Sequence, residues 1–227
     1  FVCETFRQEH GVSDNRGQNR EWVDADLASQ SVADREAYHR RLLGAKVADW
    51  ESHDDRVRLL VDTDGDGRAD TAKIYAEGFN RLIDGTAAGL LARRGDLFLT
   101  CIPALYRLRD LDGDGRIGPS PPEREIISEG YGCRVAYRGH DLHGLALGPD
   151  GRLYFSIGDR GYRVEHEGRV AAEPGRGAVF RCRPDGSEFE VFATGLRNPQ
   201  ELAFDDLGNL FTVDNNGDGG DQARLVH

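Results

Sequence analysis

The chain has 227 residues, of which 38% are hydrophobic and 30% are charged, a balance typical of a globular protein rather than a disordered one. Its formal net charge is -11 and its basic residues are scattered, which excludes the basic surface of a nucleic-acid-binding protein. The sequence has no apolar run of about 18 residues, so it predicts no membrane span in this segment.

The two ends of the chain have the composition of strand interiors. Residues 1–5 and 224–227 are rich in β-forming side chains, and the sequence contains no methionine. We therefore expect a sequence that is truncated at both ends. The absence of a signal peptide then carries no information about localisation.

Residues 21–50 interrupt the β pattern. Residues 32–43 favour a helix, and Gly44 follows them as a helix stop. We interpret residues 21–50 as a helical insertion between the first two strands of a β unit.

A unit of short strands recurs along the chain. Similar apolar runs follow the turn residues Gly95, Gly151 and Gly208 at intervals of about 56 residues, and residues 1–5 resemble an earlier copy. Each run is followed by a second strand with an Asp-rich turn, a strong hairpin signal, then by a third strand and a short fourth one. Four short strands in roughly fifty residues is the period of a propeller blade. The sequence predicts an all-β fold, a single β-propeller domain over residues 1–227 with three nearly complete blades and the edge of a fourth.

Two of the hairpin turns carry alternating aspartates, and oxygen ligands at alternate positions of a tight turn suit Ca²⁺. The first turn is predicted to be a structural calcium loop of Asp62, Asp64, Asp66, Arg68 and Asp70. The weaker second loop consists of Asp110, Asp112 and Asp114, with Gly118 at the position of Asp70. An EF-hand would need a glutamate where Lys73 stands. The alternative is a solvated turn in which Asp and Gly serve local geometry.

The four cysteines, Cys3, Cys101, Cys133 and Cys182, have no CxxC spacing. This excludes a zinc ribbon, a thioredoxin-like motif and a c-type haem site. Buried thiols, or one disulfide in an oxidising compartment, both fit the spacing.

Two other segments are candidates for chemistry. His140 and His143 precede a predicted inner strand, and histidine is the usual general base near neutral pH. Arg197 and Asn198 lie on a loop that enters the next blade, where a guanidinium suits an anionic ligand. The alternatives are a plain hydrogen-bonding role for the histidines and a structural tie between blades for Arg197.

Three segments resemble the PQQ-dependent soluble glucose and aldose dehydrogenases: residues 140–161 (HDLHGLALGPDGRLYFSIGDRG), 177–181 (GAVFR) and 195–200 (GLRNPQ). The Asp-Gly-Asp-Gly hairpins look closer still to relatives in planctomycete-type bacteria, often described as membrane-bound dehydrogenases. The resemblance covers residues 56–227. It implies a six-bladed propeller of four-stranded antiparallel blades.

The resemblance also implies a catalytic site. His140, or alternatively His143, would be the base that removes the hydroxyl proton of a sugar or alcohol while hydride passes to PQQ. Arg197 would serve both catalysis and cofactor binding, and the further cofactor contacts would be Asn198, Asp159 and Arg160. A Ca²⁺ ion that polarises the quinone would lie at Asn216 and Gly217, in the segment 214–218. In this chain Gly139 stands where the family has an acidic residue, and Asn216-Gly217 where it has Gly-Pro.

The favoured function is therefore a PQQ- and calcium-dependent sugar or alcohol dehydrogenase. The resemblance implies a periplasmic or exported location, membrane-associated in the longer protein, and a cytochrome c electron acceptor or fused cytochrome domain. Two alternatives stay open. One is a calcium-binding propeller that acts as an interaction module, because folds outlast their sites. The other is a lactonase-like calcium hydrolase with an axial metal held by Glu, Asn and Asp.

Overall fold

The computed structural model describes residues 1–8, 10–11, 14–217 and 219–227. The first element is strand β1 (Val2–Glu4), and three helices follow it: α1 (Arg20–Ala28), α2 (Val32–Leu43) and α3 (Val47–Trp50). Strands β2 (Asp55–Val61) and β3 (Thr71–Phe79) complete an antiparallel sheet of order β1-β2-β3. The helices thus lie between the first two strands of this sheet, which confirms the predicted insertion.

Two four-stranded antiparallel sheets come next. The second sheet is a simple meander of β4 (Ala87–Arg93), β5 (Asp96–Cys101), β6 (Ala104–Leu108) and β7 (Arg124–Glu129). The third sheet consists of β8 (Leu142–Leu147), β9 (Leu153–Ile157), β12 (Gly177–Cys182) and β13 (Glu190–Leu196). Between β9 and β12 the chain forms a separate two-stranded hairpin of β10 (Tyr162–His166) and β11 (Arg169–Glu173). The last sheet has order β14-β15-β16, with β14 (Leu202–Phe204), β15 (Leu210–Asp214) and β16 (Arg224–Val226).

The turn glycines define the repeat as predicted. Gly95, Gly151 and Gly208 have φ values of 89°, 79° and 86°, a left-handed conformation that strains any other residue. Each one precedes the second strand of its sheet. The described residues form two complete four-stranded sheets, two three-stranded sheets and the two-stranded hairpin of β10 and β11.

The core lies between successive sheets. Phe98 and Leu105 of the second sheet pack against Phe155 and Phe180 of the third, with Tyr131 between them. A second cluster joins Val57 and Phe79 of the first sheet to the second. Consecutive antiparallel meanders that pack face to face are the arrangement of propeller blades, so the fold is all-β and propeller-like.

The helical insertion packs on the segment between β7 and β8. Asp26 of α1 accepts a hydrogen bond from the Val135 amide (2.7 Å), and Ser29 donates one to the Cys133 carbonyl (2.7 Å). Trp22 and Tyr38 form an apolar cluster with Val135. Because these are contacts across more than 90 residues, the sequence pattern alone did not reveal where the helices lie.

All four cysteines are free thiols, and three of them are buried. Burial raises the pKa of the Cys133 thiol to about 11, which keeps it protonated near neutral pH. None of the helices among the described residues is long and apolar enough to cross a bilayer.

Candidate functional site

His140 lies on the loop before β8 and is 6% exposed. Its Nδ1 is 2.7 Å from Oδ1 of Asp159, which follows β9. Nε2 has no hydrogen bond to any described residue. When the carboxylate accepts the Nδ1 proton, Nε2 carries the lone pair and can act as a base. Gly139 offers no carboxylate to orient the imidazole, and the carboxylate of Asp159 contacts the imidazole instead.

Arg197 and Asn198 lie beside His140. The Asp159 amide donates to the Arg197 carbonyl at 2.7 Å. A Cβ atom added to Gly158 would lie 2.7 Å from Cβ of His140 and 3.0 Å from Oδ1 of Asn198. The structure therefore brings the predicted residues together around Gly158, whose missing side chain leaves room for both neighbours. Their shared position supports the predicted site without testing its chemistry.

Asp214, at the end of β15, fixes the turn that carries Arg197 and Asn198. Its buried carboxylate accepts hydrogen bonds from the Arg197 amide (3.0 Å), the Asn198 amide (2.7 Å) and the Arg224 guanidinium (2.9 Å). These three donors leave Asp214 a positioning residue rather than a metal ligand.

Tyr137 is part of this arrangement and was absent from the sequence predictions. Its ring meets the His140 ring edge to face at 5.6 Å, and the Arg197 guanidinium carbon lies 5.7 Å from its centroid. Arg16 stands 5.4 Å from the same ring. The only signal in the sequence was an aromatic residue three positions before His140.

The two candidate bases differ in their surroundings. Nε2 of His143 lies 3.1 Å from the Asp141 amide nitrogen and 3.0 Å from the Gly139 carbonyl oxygen. This nitrogen therefore makes backbone contacts, whereas Nε2 of His140 makes none to described residues. The geometry favours His140.

Arg160 has a different role from the cofactor contact that the sequence predicted. Its side chain is 1% exposed and forms an ion pair with the fully buried Asp141, which also accepts a hydrogen bond from Thr86 (2.8 Å). This pair is inside the protein beneath the site, so the Arg160 guanidinium is closed to a cofactor.

At the predicted calcium position, the Asn216 carbonyl accepts a hydrogen bond from the Arg197 guanidinium, and the Gly217 amide donates to Asp221. Asp218 lies outside the described residues. Two nearby amide oxygens, Oδ1 of Asn198 and Oδ1 of Asn215, are buried without a donor among the described residues. Both residues line a pocket of about 400 Å³.

A second pocket lies between α1 and the loop before β8. It has a volume of about 380 Å³. Asp159 and Tyr137 form one wall, and Arg16, Arg134 and Asn15 contribute polar groups. The helical insertion therefore encloses one side of the candidate site.

The two aspartate loops have the same construction on the hairpins β2–β3 and β6–β7. Carboxylate oxygens converge within 4.8 Å of one another in two groups: Asp62, Asp64 and Asp70 in the first, and Asp110, Asp112 and Glu123 in the second. Asp66 and Asp114 belong to neither group, and each accepts a backbone hydrogen bond from the arginine two residues later, Arg68 or Arg116. The Arg68 side chain contributes no oxygen.

Glu123 was missed because the second loop is longer than the first. Its carboxylate accepts the Leu111 amide at 3.2 Å, just as Asp70 accepts the Thr63 amide at 2.6 Å. Glu123 therefore takes the place of Asp70, which the sequence comparison had assigned to Gly118. Backbone donors hold the pKa of Asp62 below its usual range, and Thr63 does the same for Asp70. Both carboxylates are thus ionised near neutral pH.

Fold and site together define a β-propeller-like protein with a histidine–aspartate pair beside an Arg-Asn turn. The chain belongs to the family described as Domain of unknown function (DUF7133), whose model matches residues 32–225. No curated protein matches the chain.

The solved structures that are similar to the chain include three distant ones. A candidate gluconolactonase is 24% identical over 60% of this chain and 46% of its own, with a TM-score of 0.36. A chain of the nidogen–laminin complex is 18% identical over 76% and 56%, with a TM-score of 0.41. A protein of unknown function from Bacteroides caccae is 13% identical over 75% and 69%, with a TM-score of 0.31. The chain spans about half the length of the first two proteins, and similarities this distant say nothing about activity.

Proposed function

We propose that this chain carries the general base of a PQQ-dependent dehydrogenase site that oxidises a sugar or another alcohol. The observation that supports the proposal is the 2.7 Å hydrogen bond between His140 and Asp159, beside Arg197 and Asn198. A buried imidazole oriented by a carboxylate, with one nitrogen left without a partner among the described residues, is the arrangement that a general base requires.

In this proposal Nε2 of His140 takes the proton of the substrate hydroxyl. The Asp159 carboxylate stabilises the imidazolium that forms and prevents the ring from turning. Bound PQQ would supply the hydride acceptor. Asp214 holds the Arg197-Asn198 turn rigid, so that an arginine and an amide are presented next to the base.

The residues present fit an anionic, planar quinone. Arg134 lines the pocket beside Asp159 together with Arg16, whose guanidinium also pairs with Asp14. The cationic groups of Arg16 and Arg197 flank the Tyr137 ring. Guanidinium groups bind carboxylates with two parallel hydrogen bonds, and aromatic faces pack against planar rings. The partnerless oxygens of Asn198 and Asn215 fit a Ca²⁺ ion, which binds oxygen ligands and would act as a Lewis acid.

The test uses the full-length protein, loaded with PQQ and Ca²⁺ and assayed for dye reduction with a panel of sugars and alcohols. We expect saturable, quinone-dependent turnover. PQQ affinity is measured separately by equilibrium titration. Tight quinone binding without turnover on any substrate would favour an interaction module, and absence of quinone binding would overturn the proposal.

The same two amide oxygens also favour a second candidate, a calcium-dependent lactone hydrolase. In that case Asn198 and Asn215 would be metal ligands and His140 would not be required for turnover. Lactone hydrolysis by the Ca²⁺-loaded protein without PQQ, retained in His140→Gln, would support this alternative over the dehydrogenase.

We also propose structural Ca²⁺ sites in both aspartate loops. Calcium at about 100 times its dissociation constant should stabilise the full-length protein by about 2.7 kcal/mol for each occupied loop, because the ion binds only the folded state. We expect the rise in Tm with Ca²⁺ to shrink in Asp62→Asn and in Glu123→Gln. Asp185→Asn, on a hairpin turn outside both acidic groups, is the matched control. An equal Ca²⁺ response in all three variants would contradict the proposal.

The proposal extends to the setting of the protein. A PQQ enzyme of this kind would work in the periplasm or after export, associated with the membrane in the longer protein, and would pass its electrons to a cytochrome c. Fractionation of the native cells checks the location, and reduction of a purified cytochrome c by the loaded protein checks the acceptor.

A further inference from the structure

A pocket of about 480 Å³ lies between the outer strands of the first and second sheets. Its walls include Phe79, Tyr106, Ile126 and two prolines, Pro119 and Pro121. None of its lining residues belongs to the His140 site. A concave, mainly apolar space of this size with a few polar groups is typical of a small-molecule site.

The acidic groups in this pocket already have partners. Asp84 is 2% exposed and pairs with Arg81 at 2.9 Å. Glu125 pairs with Arg107 at 2.6 Å. These contacts neutralise both carboxylates and leave the pocket without a negative charge that repels an anion.

Arg124, by contrast, has no carboxylate within ion-pair distance among the described residues. Its Nη2 donates to the Glu77 carbonyl (2.6 Å), and its guanidinium carbon stands 4.4 Å from the centroid of the Phe79 ring. Nη1 has no acceptor among the described residues, and Nε is enclosed without one. Burial lowers the pKa of Arg124 below its usual value, and the opposing effect of the nearby Tyr106 and Asp84 does not outweigh it.

We propose that this pocket binds a small carboxylate with an aromatic body. The carboxylate would accept hydrogen bonds from Nη1 and from the second Nη2 proton of Arg124, since charge-assisted pairs of this kind are the strong ones. The aromatic body would pack against Phe79, Tyr106 and Ile126. The position between two blades makes this a second ligand site, independent of the His140 chemistry.

The test measures binding of 2-naphthoate to the full-length protein by calorimetry, with 2-naphthalenemethanol as the neutral analogue. We expect the carboxylate to bind at least about tenfold more tightly than the alcohol, and Arg124→Gln to remove that preference. Arg183→Gln is the control, because Arg183 pairs with Glu188 on a different hairpin and neither residue lines the pocket.

Because Arg124 also links two sheets through its hydrogen bond to the Glu77 carbonyl, Ile126→Trp provides a second test that does not depend on removing it. This change fills the pocket from an exposed position (44%) and leaves Arg124 in place. It should abolish 2-naphthoate binding, whereas Leu207→Trp on a distant exposed turn should not. Equal binding of acid and alcohol, unchanged binding in Arg124→Gln and Ile126→Trp, or no binding at millimolar concentration would each overturn the proposal.

Discussion

Replacement of His140 by glutamine is expected to lower kcat of the PQQ-loaded full-length protein by about 10²- to 10⁴-fold, the usual contribution of a positioned general base. Glutamine approximates the size of the imidazole but cannot take up a proton. The quinone dissociation constant should change by less than a few-fold, because His140 contacts the reacting hydroxyl in our proposal. Single-turnover reduction of bound quinone measures the chemical step directly.

The matched control is His143→Gln, on the same strand entry. Nε2 of His143 contacts the backbone at Asp141 and Gly139, so its loss should leave kcat within a few-fold of wild type. Activity that survives in His140→Gln and disappears in His143→Gln would reverse the assignment of the base.

Asp159→Asn distinguishes a positioning role from direct contact with the cofactor. An amide at this position can donate to Nδ1 and thereby favour the wrong tautomer, with the proton on Nε2. We therefore expect a loss of kcat with little change in KM or in quinone affinity. A selective loss of quinone affinity would instead support the direct cofactor contact that the sequence resemblance implied for Asp159.

The parts of the fold that were predictable are those encoded over short distances. Gly95, Gly151 and Gly208 each force a positive φ at a turn, so their spacing predicts the repeat. Gly44 ends α2, as its position after a helix-favouring run indicated. The β10–β11 hairpin was missed because its turn is Glu167-Gly168, with both residues at positive φ, instead of the common Asn-Gly or Asp-Gly.

The candidate site was predictable only where a motif carried it. His140, Arg197 and Asn198 were found from their segments, and they do lie together. The role of Asp159 depends on the pairing of β8 with β9, which brings the residue after β9 next to His140 before β8. No local sequence pattern encodes that contact. Glu123 depends on the length of the loop that leads to β7. The enclosure of the pocket by α1 depends on hydrogen bonds such as that between Asp26 and Val135.

Asp141→Ala is expected to lower the free energy of unfolding by about 3–5 kcal/mol, because it leaves the buried guanidinium of Arg160 without a counter-charge. Asp141 is 0% exposed and Arg160 is 1% exposed. A second guanidinium, that of Arg35, is buried nearby. Burial, and next the positive charge of Arg160, lower the pKa of Arg35 to about 10. Loss of Asp141 therefore leaves neighbouring cations with less opposing charge.

Urea unfolding measures this loss, and Glu188→Ala supplies the comparison. Glu188 forms an exposed ion pair with Arg152 at 2.5 Å, and exposed pairs contribute about 0–1 kcal/mol. Thr86→Val, which removes only the neutral donor to Asp141, should cost about 1 kcal/mol. If Asp141→Ala were no more destabilising than Glu188→Ala, the Asp141–Arg160 pair would have no special role in the stability of the fold.

The effect of Asp141 should also depend on pH in a defined direction. Burial alone would raise the pKa of this carboxyl, but Arg160, His143 and the Thr86 hydroxyl outweigh burial and lower it. A pKa lower in the folded than in the unfolded chain means that the pair stabilises the protein fully above the unfolded value of about 3.9. This stabilisation is lost as the pH falls through the folded pKa. The difference in unfolding free energy between wild type and Asp141→Ala should thus be constant from pH 6 to 8 and shrink below about pH 4. A difference that grew under acid conditions would mean that burial, rather than Arg160, controls the charge of Asp141.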